Sequence, residues 1–115
     1  MSDFEEGKKK EMIKQYVIER ISLVDKDFRD LVFIRDLIKK GKIPNPFRFK
    51  HIVAYFSPSK TYRLIAKMID LDILKKNEIY DTTYYEVNMQ IFDEYISEKI
   101  IEAIQNIEEL KKKLI

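Results

Sequence analysis

Between Ser57 and Leu74 the chain reads SPSKTYRLIAKMIDLDIL, and its cations, hydroxyls and phenol recur at helical spacing. Lys60, Arg63 and Lys67 are separated by three and four residues, with Ser59 and Tyr62 close by. Side chains of these types donate hydrogen bonds to phosphate oxygens and to base edges. Arg63 is the expected base reader, because a guanidinium fork matches the two major-groove acceptors of guanine. Lys60 and Lys67 are expected on phosphate or base. Arg48 and Lys50 upstream would anchor the preceding helix on the backbone, and Lys75 and Lys76 downstream would meet phosphate. Other chemistry is thinly represented. Cys is absent, so neither a disulfide nor a thiolate metal site is available. His51 is the only histidine, and without carboxylate partners at ligand spacing it is expected to be structural or, failing that, a phosphate contact. Glu108 and Glu109 lie beside lysines, where solvation is the expected role. No Gly-rich phosphate loop, metal-ligand cluster or nucleophile elbow is present, so a non-enzymatic protein with no metal and no cofactor is expected.

The net charge of +2 conceals a strong segregation. Residues 1–38 carry 8 basic and 9 acidic side chains, a balance of −1. Residues 39–76 carry 10 basic and 2 acidic, a balance of +8. Residues 77–110 carry 1 basic and 9 acidic, a balance of −8, and three lysines follow. A cation block centred on the candidate groove-facing helix is what a phosphate-facing surface requires.

The elements that must position these groups read as follows. The 115 residues suffice for one domain with a real core, and 45% hydrophobic with 37% charged residues points to an ordered, helix-rich chain. Met1 to Gly7 is polar and expected to fray. A helix over 8–24 presents Met12, Ile13, Tyr16, Val17, Ile21 and Val24. Asp25 or Asp27 can cap a second helix with Phe28, Leu31, Val32, Ile34, Leu37 and Ile38 inward, ending at Gly41; the alternative is one continuous helix, since no Gly or Pro separates the two. Asn45 and Pro46 form a cap-then-proline start for a short helix, Phe47 to Phe56. Ser57 and Pro58 repeat that start for the candidate groove helix, whose Leu64, Ile65, Met68 and Leu71 form an apolar face. The period then changes to two. Ile73 to Tyr80 and Tyr84 to Val87 read as a hairpin with Asp81, Thr82 and Thr83 as its turn.

From Asn88, another good cap, the chain is expected to be helical over 89–114. Ile96, Ile100, Ala103, Ile107, Leu110 and Leu114 are spaced 4, 3, 4, 3, 4, widened by Phe92, Tyr95, Ile101 and Ile104. That arc exceeds what a small domain can cover, so a second copy is expected on it. The interface would use Ile13, Val17 and Ile21 with Phe92, Ile96, Ile100, Ala103, Ile107 and Leu110. No apolar run reaches membrane-spanning length and no signal-peptide pattern opens the chain, which suits a cytoplasmic protein with no membrane partner. The fold class is therefore mainly α with a small β-hairpin. Helix, helix, helix, hairpin, helix is the order of a winged helix-turn-helix, here over 27–88 between N- and C-terminal dimerisation helices.

Ser57 to Val87 resembles the winged helix of the PadR family and, more loosely, MarR-type regulators. PadR-like recognition helices often open with Ser-Pro, carry a Tyr five positions after that Ser, and end in a Gly-Leu or Gly-Ile step. Here those positions are Ser57, Pro58 and Tyr62, with Asp72 and Ile73 at the closing step. Asp tolerates a left-handed backbone better than most residues. Two departures stand out: the link between Phe56 and Ser57 is shorter than the family's turn, and Asp81-Thr82-Thr83 lacks the wing-tip cation. The resemblance implies a homodimer on near-palindromic double-stranded DNA, usually a transcriptional repressor, with only a weak wing contact. Some members bind small molecules, but the sequence names no effector. The alternative is a winged-helix adaptor for plasmid partition, replication or viral assembly, working mainly through protein contacts of its acidic C-terminal helices.

Overall fold

The computed structural model describes residues 3–114, with side chains at 6–109 and 111–113. It is 68% helical with one small antiparallel hairpin. In chain order the elements are α1 (Asp3–Val24), α2 (Phe28–Lys39), α3 (Phe49–Val53), α4 (Pro58–Asp70), β1 (Leu74–Ile79), β2 (Thr82–Val87) and α5 (Met89–Leu114). They form two compact units, one of residues 1–29 and 96–115, the other of residues 30–95. The divisions fall inside α2 and α5.

In the unit of residues 30–95, Leu31, Ile34, Leu37, Ile43, Phe47, Ile52, Leu64, Met68, Ile73 and Phe92 are buried. Removing each such side chain from water contributes about 1.5–3 kcal/mol. Helix ends set the spacing between these elements. Gly41, at φ 73°, closes α2: its N–H donates to the Ile38 carbonyl, and the Lys42 N–H donates to that of Leu37. Asp72, at φ 61°, closes α4 in the same way, with Ile73 N–H donating to the Met68 carbonyl at 2.9 Å. The left-handed turn expected at Asp72 is present. Asn88 caps α5, its Oδ1 accepting from the Ile91 N–H at 3.1 Å.

Several expectations need correction. Helix α1 begins at Asp3 and runs through Gly7, so the described part of the first seven residues is helical. The first two helices are not continuous: residues 25–27 separate α1 from α2, with Asp25 Oδ1 accepting from the Asp27 N–H at 3.2 Å. Asn45 and Pro46 do not start α3. The cap is Arg48, whose N–H donates to His51 Nδ1 at 2.8 Å, and the helix is only five residues long. His51 thus has a structural role. The hairpin turn is Tyr80–Asp81, both at positive φ as a type I′ turn requires, and Thr82 and Thr83 belong to β2.

A further extended segment lies beside β2. Phe47 and Tyr85 exchange backbone hydrogen bonds at 2.9 and 2.8 Å. Two residues back, the Asn45 side chain does the same with Val87: Oδ1 accepts from the Val87 N–H at 2.9 Å and Nδ2 donates to its carbonyl at 3.1 Å. The Asn45 amide therefore replaces a peptide unit and prolongs the pairing. The Phe47 ring packs on Tyr85, centroids 5.4 Å apart.

The unit of residues 1–29 and 96–115 buries Val17, Ile18, Ile21, Phe28 and Ile96. Met12, Ile13, Tyr16 and Val24 of α1 are exposed. A groove of about 260 Å³ separates the end of α1, at Ile21 and Val24, from Lys99, Ala103 and Ile107 of α5. Among the described residues no helix is long and apolar enough to cross a membrane.

Candidate nucleic-acid interface

Helix α4 has a sharp division of faces. Ser57 Oγ accepts from the Lys60 N–H at 3.3 Å, and Thr61 Oγ1 donates to the Ser57 carbonyl at 2.9 Å, fixing the first turn. Thr61, Leu64, Ile65 and Met68 are buried. Ser59, Tyr62, Arg63, Ala66 and Asp70 are exposed. At about 3.6 residues per turn those five fall within roughly 100° of arc. The helix therefore offers one continuous outward strip carrying a hydroxyl, a phenol and a guanidinium.

Tyr62 is held by a residue whose role the sequence did not reveal. Its ring lies on that of Phe49 in α3, centroids 4.5 Å apart and planes inclined by 37°. Stacking leaves Tyr62 66% exposed but limits the directions it can take. Lys50 is exposed on α3, and Arg48, at the cap, is half-buried.

Lys60 and Lys67 lie on the flank of the strip and are half-buried. Lys60 Nζ pairs with Asp30 Oδ2 of α2 at 2.9 Å and sits over the Phe56 ring at 5.5 Å. It ties α4 to α2. Lys39 is likewise engaged, with Asp93 at 2.9 Å. At least two cations of the basic block are thus neutralised by acids from outside it. Lys75 and Lys76 are both exposed on β1 but leave it on opposite faces.

The expected dimer residues divide into three groups. Ile13 is exposed. Val17, Ile21, Phe92 and Ile96 are buried within one chain, Phe92 at 0% and Ile96 at 1% exposure, and so are core rather than surface. Ile100, Ala103 and Ile107 are half-buried, and the Leu110 side chain lies outside the described residues. The exposed apolar side chains of this unit are instead Met12, Ile13 and Tyr16 on α1, Leu23 and Val24 at its end, and Ile101 and Ile104 on α5. Among the described residues no group of three His, Cys, Asp or Glu is placed to hold a metal ion.

No family model matches the sequence, and neither a curated protein nor a solved structure matches it.

Proposed function

We propose that this chain is a winged helix-turn-helix protein that binds double-stranded DNA in a sequence-specific manner as a homodimer and regulates transcription, with α4 as its recognition helix. The observation that carries the reading is the exposed strip of α4, with Ser59, Tyr62 and Arg63 on a helix whose opposite face is buried. The order of elements supports it. Helix α2, the paired segment at Phe47, α3, α4 and the β1–β2 hairpin follow one another as the parts of a winged helix do. The N-terminal half of such a helix enters the major groove, and Ser59, Tyr62 and Arg63 lie in that half. Arg63 reads a guanine, Tyr62 is steadied by Phe49 for a base or phosphate contact, and Lys50 and Lys76 meet the backbone. The second copy covers Met12, Ile13 and Tyr16 of α1 and Ile101 and Ile104 of α5, which a lone chain leaves in water.

Selection of bound sites from random duplexes tests the reading. The expected product is a near-palindrome with half-sites about one helical turn apart. On that duplex Arg63→Ala is expected to lose roughly 1–3 kcal/mol of binding and to accept substitutions at one base position. Selection that returns no enriched sequence, or an Arg63→Ala variant binding as wild type does, would refute it.

A further inference from the structure

Strand β1 has one edge that no other described strand pairs. The direction of its backbone groups follows from the far side of β2. Tyr85 exchanges both its backbone hydrogen bonds with Phe47, and the Val87 N–H and carbonyl are taken by the Asn45 side chain. Those two residues face away from β1, so Thr82, Tyr84 and Glu86 face toward it. Their partners Ile79, Asn77 and Lys75 point back at β2. By alternation, Lys76 and Glu78 aim their N–H and C=O groups outward from the hairpin. Among the described residues no strand or bridge lies on that side: the sheet is β1–β2, and the isolated bridge joins Phe47 to β2.

Proteins blunt such an edge with proline, a bulge or lysine. β1 has neither Pro nor Gly, and its register with β2 runs unbroken from Leu74 to Ile79. It does carry Lys76, but Glu78 follows on the same face, and both are exposed. Antiparallel pairing of two such edges sets outward-aimed residues opposite one another. With Lys76 facing itself, or Glu78 facing itself, like charges meet. The register between those two sets Lys76 of each chain opposite Glu78 of the other, about a two-fold axis through Asn77. Unlike charges then meet twice, at Cβ separations of about 5 Å. Asn77 meets its own copy on the axis, where an amide offers both donor and acceptor. Ile79, 53% exposed in one chain, gains the aliphatic stem of the other copy's Lys75. That stem also walls one end of a groove of about 470 Å³, which runs from Asn45 and Pro46 across Tyr84 and Glu86 to Asn77 and Ile79.

We infer that β1 pairs edge to edge with β1 of a second copy in this register, joining two two-stranded sheets into one of four strands. The contact is separate from the α1 and α5 surfaces given to the homodimer, and it stands whether or not α4 binds DNA. A six-residue strand buries far less than the roughly 1,600 Å² of a standard interface, so the contact is weak and belongs to concentrated protein. Lys76 serves either Glu78 of the other copy or a phosphate. Duplex DNA that reaches Lys76 therefore opposes the pairing.

The test is amide exchange of the full-length, ¹⁵N-labelled chain over a series of protein concentrations without DNA. The Lys76 and Glu78 N–H groups aim at no acceptor within the hairpin, and they should exchange more slowly as concentration rises. Asn77 and Ile79, bonded to β2 throughout, should change little. Lys76→Glu and Glu78→Lys should each weaken pairing about tenfold, since symmetry turns two attractive cross-strand pairs into repulsive ones. An equimolar mixture of those two variants restores unlike charges at both positions and should pair as wild type does, which a loss of folding cannot imitate. Ile13→Asp should leave the protection of Lys76 and Glu78 in place, which separates this contact from the homodimer seam. Exchange at Lys76 and Glu78 that is independent of concentration, a single variant that pairs as wild type does, or a mixture that stays apart would each overturn the inference.

Discussion

Replacing Asn45 with Ala removes the side chain that stands in for a peptide unit beside β2. Two hydrogen bonds are lost, at 2.9 and 3.1 Å, and both partners are backbone groups of Val87, itself buried. A typical hydrogen bond contributes about 0.5–1.5 kcal/mol net, and a buried group left unpaired costs about 1–3 kcal/mol. Water entering from the groove beside Pro46 can re-pair part of what is lost. The balance is a destabilisation of ~2 kcal/mol, or a fall in Tm of roughly 8 °C for a chain this size. Urea unfolding at fixed protein concentration measures the first, and exchange of the Val87 amide should quicken by a comparable factor. Asn45→Asp sharpens the test. A carboxylate can still accept from the Val87 N–H, but its second oxygen faces the Val87 carbonyl with no proton to give. Asp is therefore expected to be at least as damaging as Ala. An Ala variant within ~0.5 kcal/mol of wild type, or an Asp variant clearly more stable than Ala, would refute this role for the amide.

Other outcomes follow from the same geometry. Lys60→Ala should weaken DNA binding less than Arg63→Ala in a mobility-shift series, because Lys60 is half-buried and lies off the exposed strip. Asp72→Gly should raise stability by up to ~1 kcal/mol in urea unfolding: it relieves a left-handed residue at φ 61° and removes a negative charge from the C-terminus of α4, against the entropy Gly adds to the unfolded chain. Ile13→Asp and Ile104→Asp alter side chains exposed in one chain. Each should keep its helical circular dichroism while sedimentation moves from a dimer toward the 13.9 kDa monomer.

Elements with local signals were legible in the sequence. Ser57 and Pro58 announce α4, Asn88 announces α5, and Asp72 takes a left-handed turn that Asp tolerates better than most residues. What escaped depends on distant partners. The segment at Phe47 has no alternation to mark it as extended, since it makes one bridge and is prolonged by a side chain. Asn45 next to Pro46 looks like a helix start because the same two residue types serve both purposes. Thr82 and Thr83 looked like turn residues after Asp81, but β-branched side chains suit a strand, and the turn falls one residue earlier. Gly7 was read as the boundary of a frayed end, yet the helix runs through it. Periodicity in α1 revealed which residues are apolar without saying which of them the chain itself covers. For the candidate site, helical spacing singles out Lys60, Arg63 and Lys67 alike, but it does not say that Arg63 is exposed while the other two are half-buried. The Phe49 ring under Tyr62 and the Asp30 carboxylate beside Lys60 lie 13 and 30 positions away, beyond any local pattern.

The central claim, that this chain binds duplex DNA through α4 and the cations around it, is tested most directly by the salt dependence of binding to a labelled duplex. Each neutralised phosphate contributes a slope of about −0.9 in log affinity against log salt. Contacts from Arg48, Lys50 and Lys76 in each copy of a dimer would give a slope of about −5, and Lys50→Ala should make it shallower. A slope near zero, or no binding at low salt, would contradict the claim.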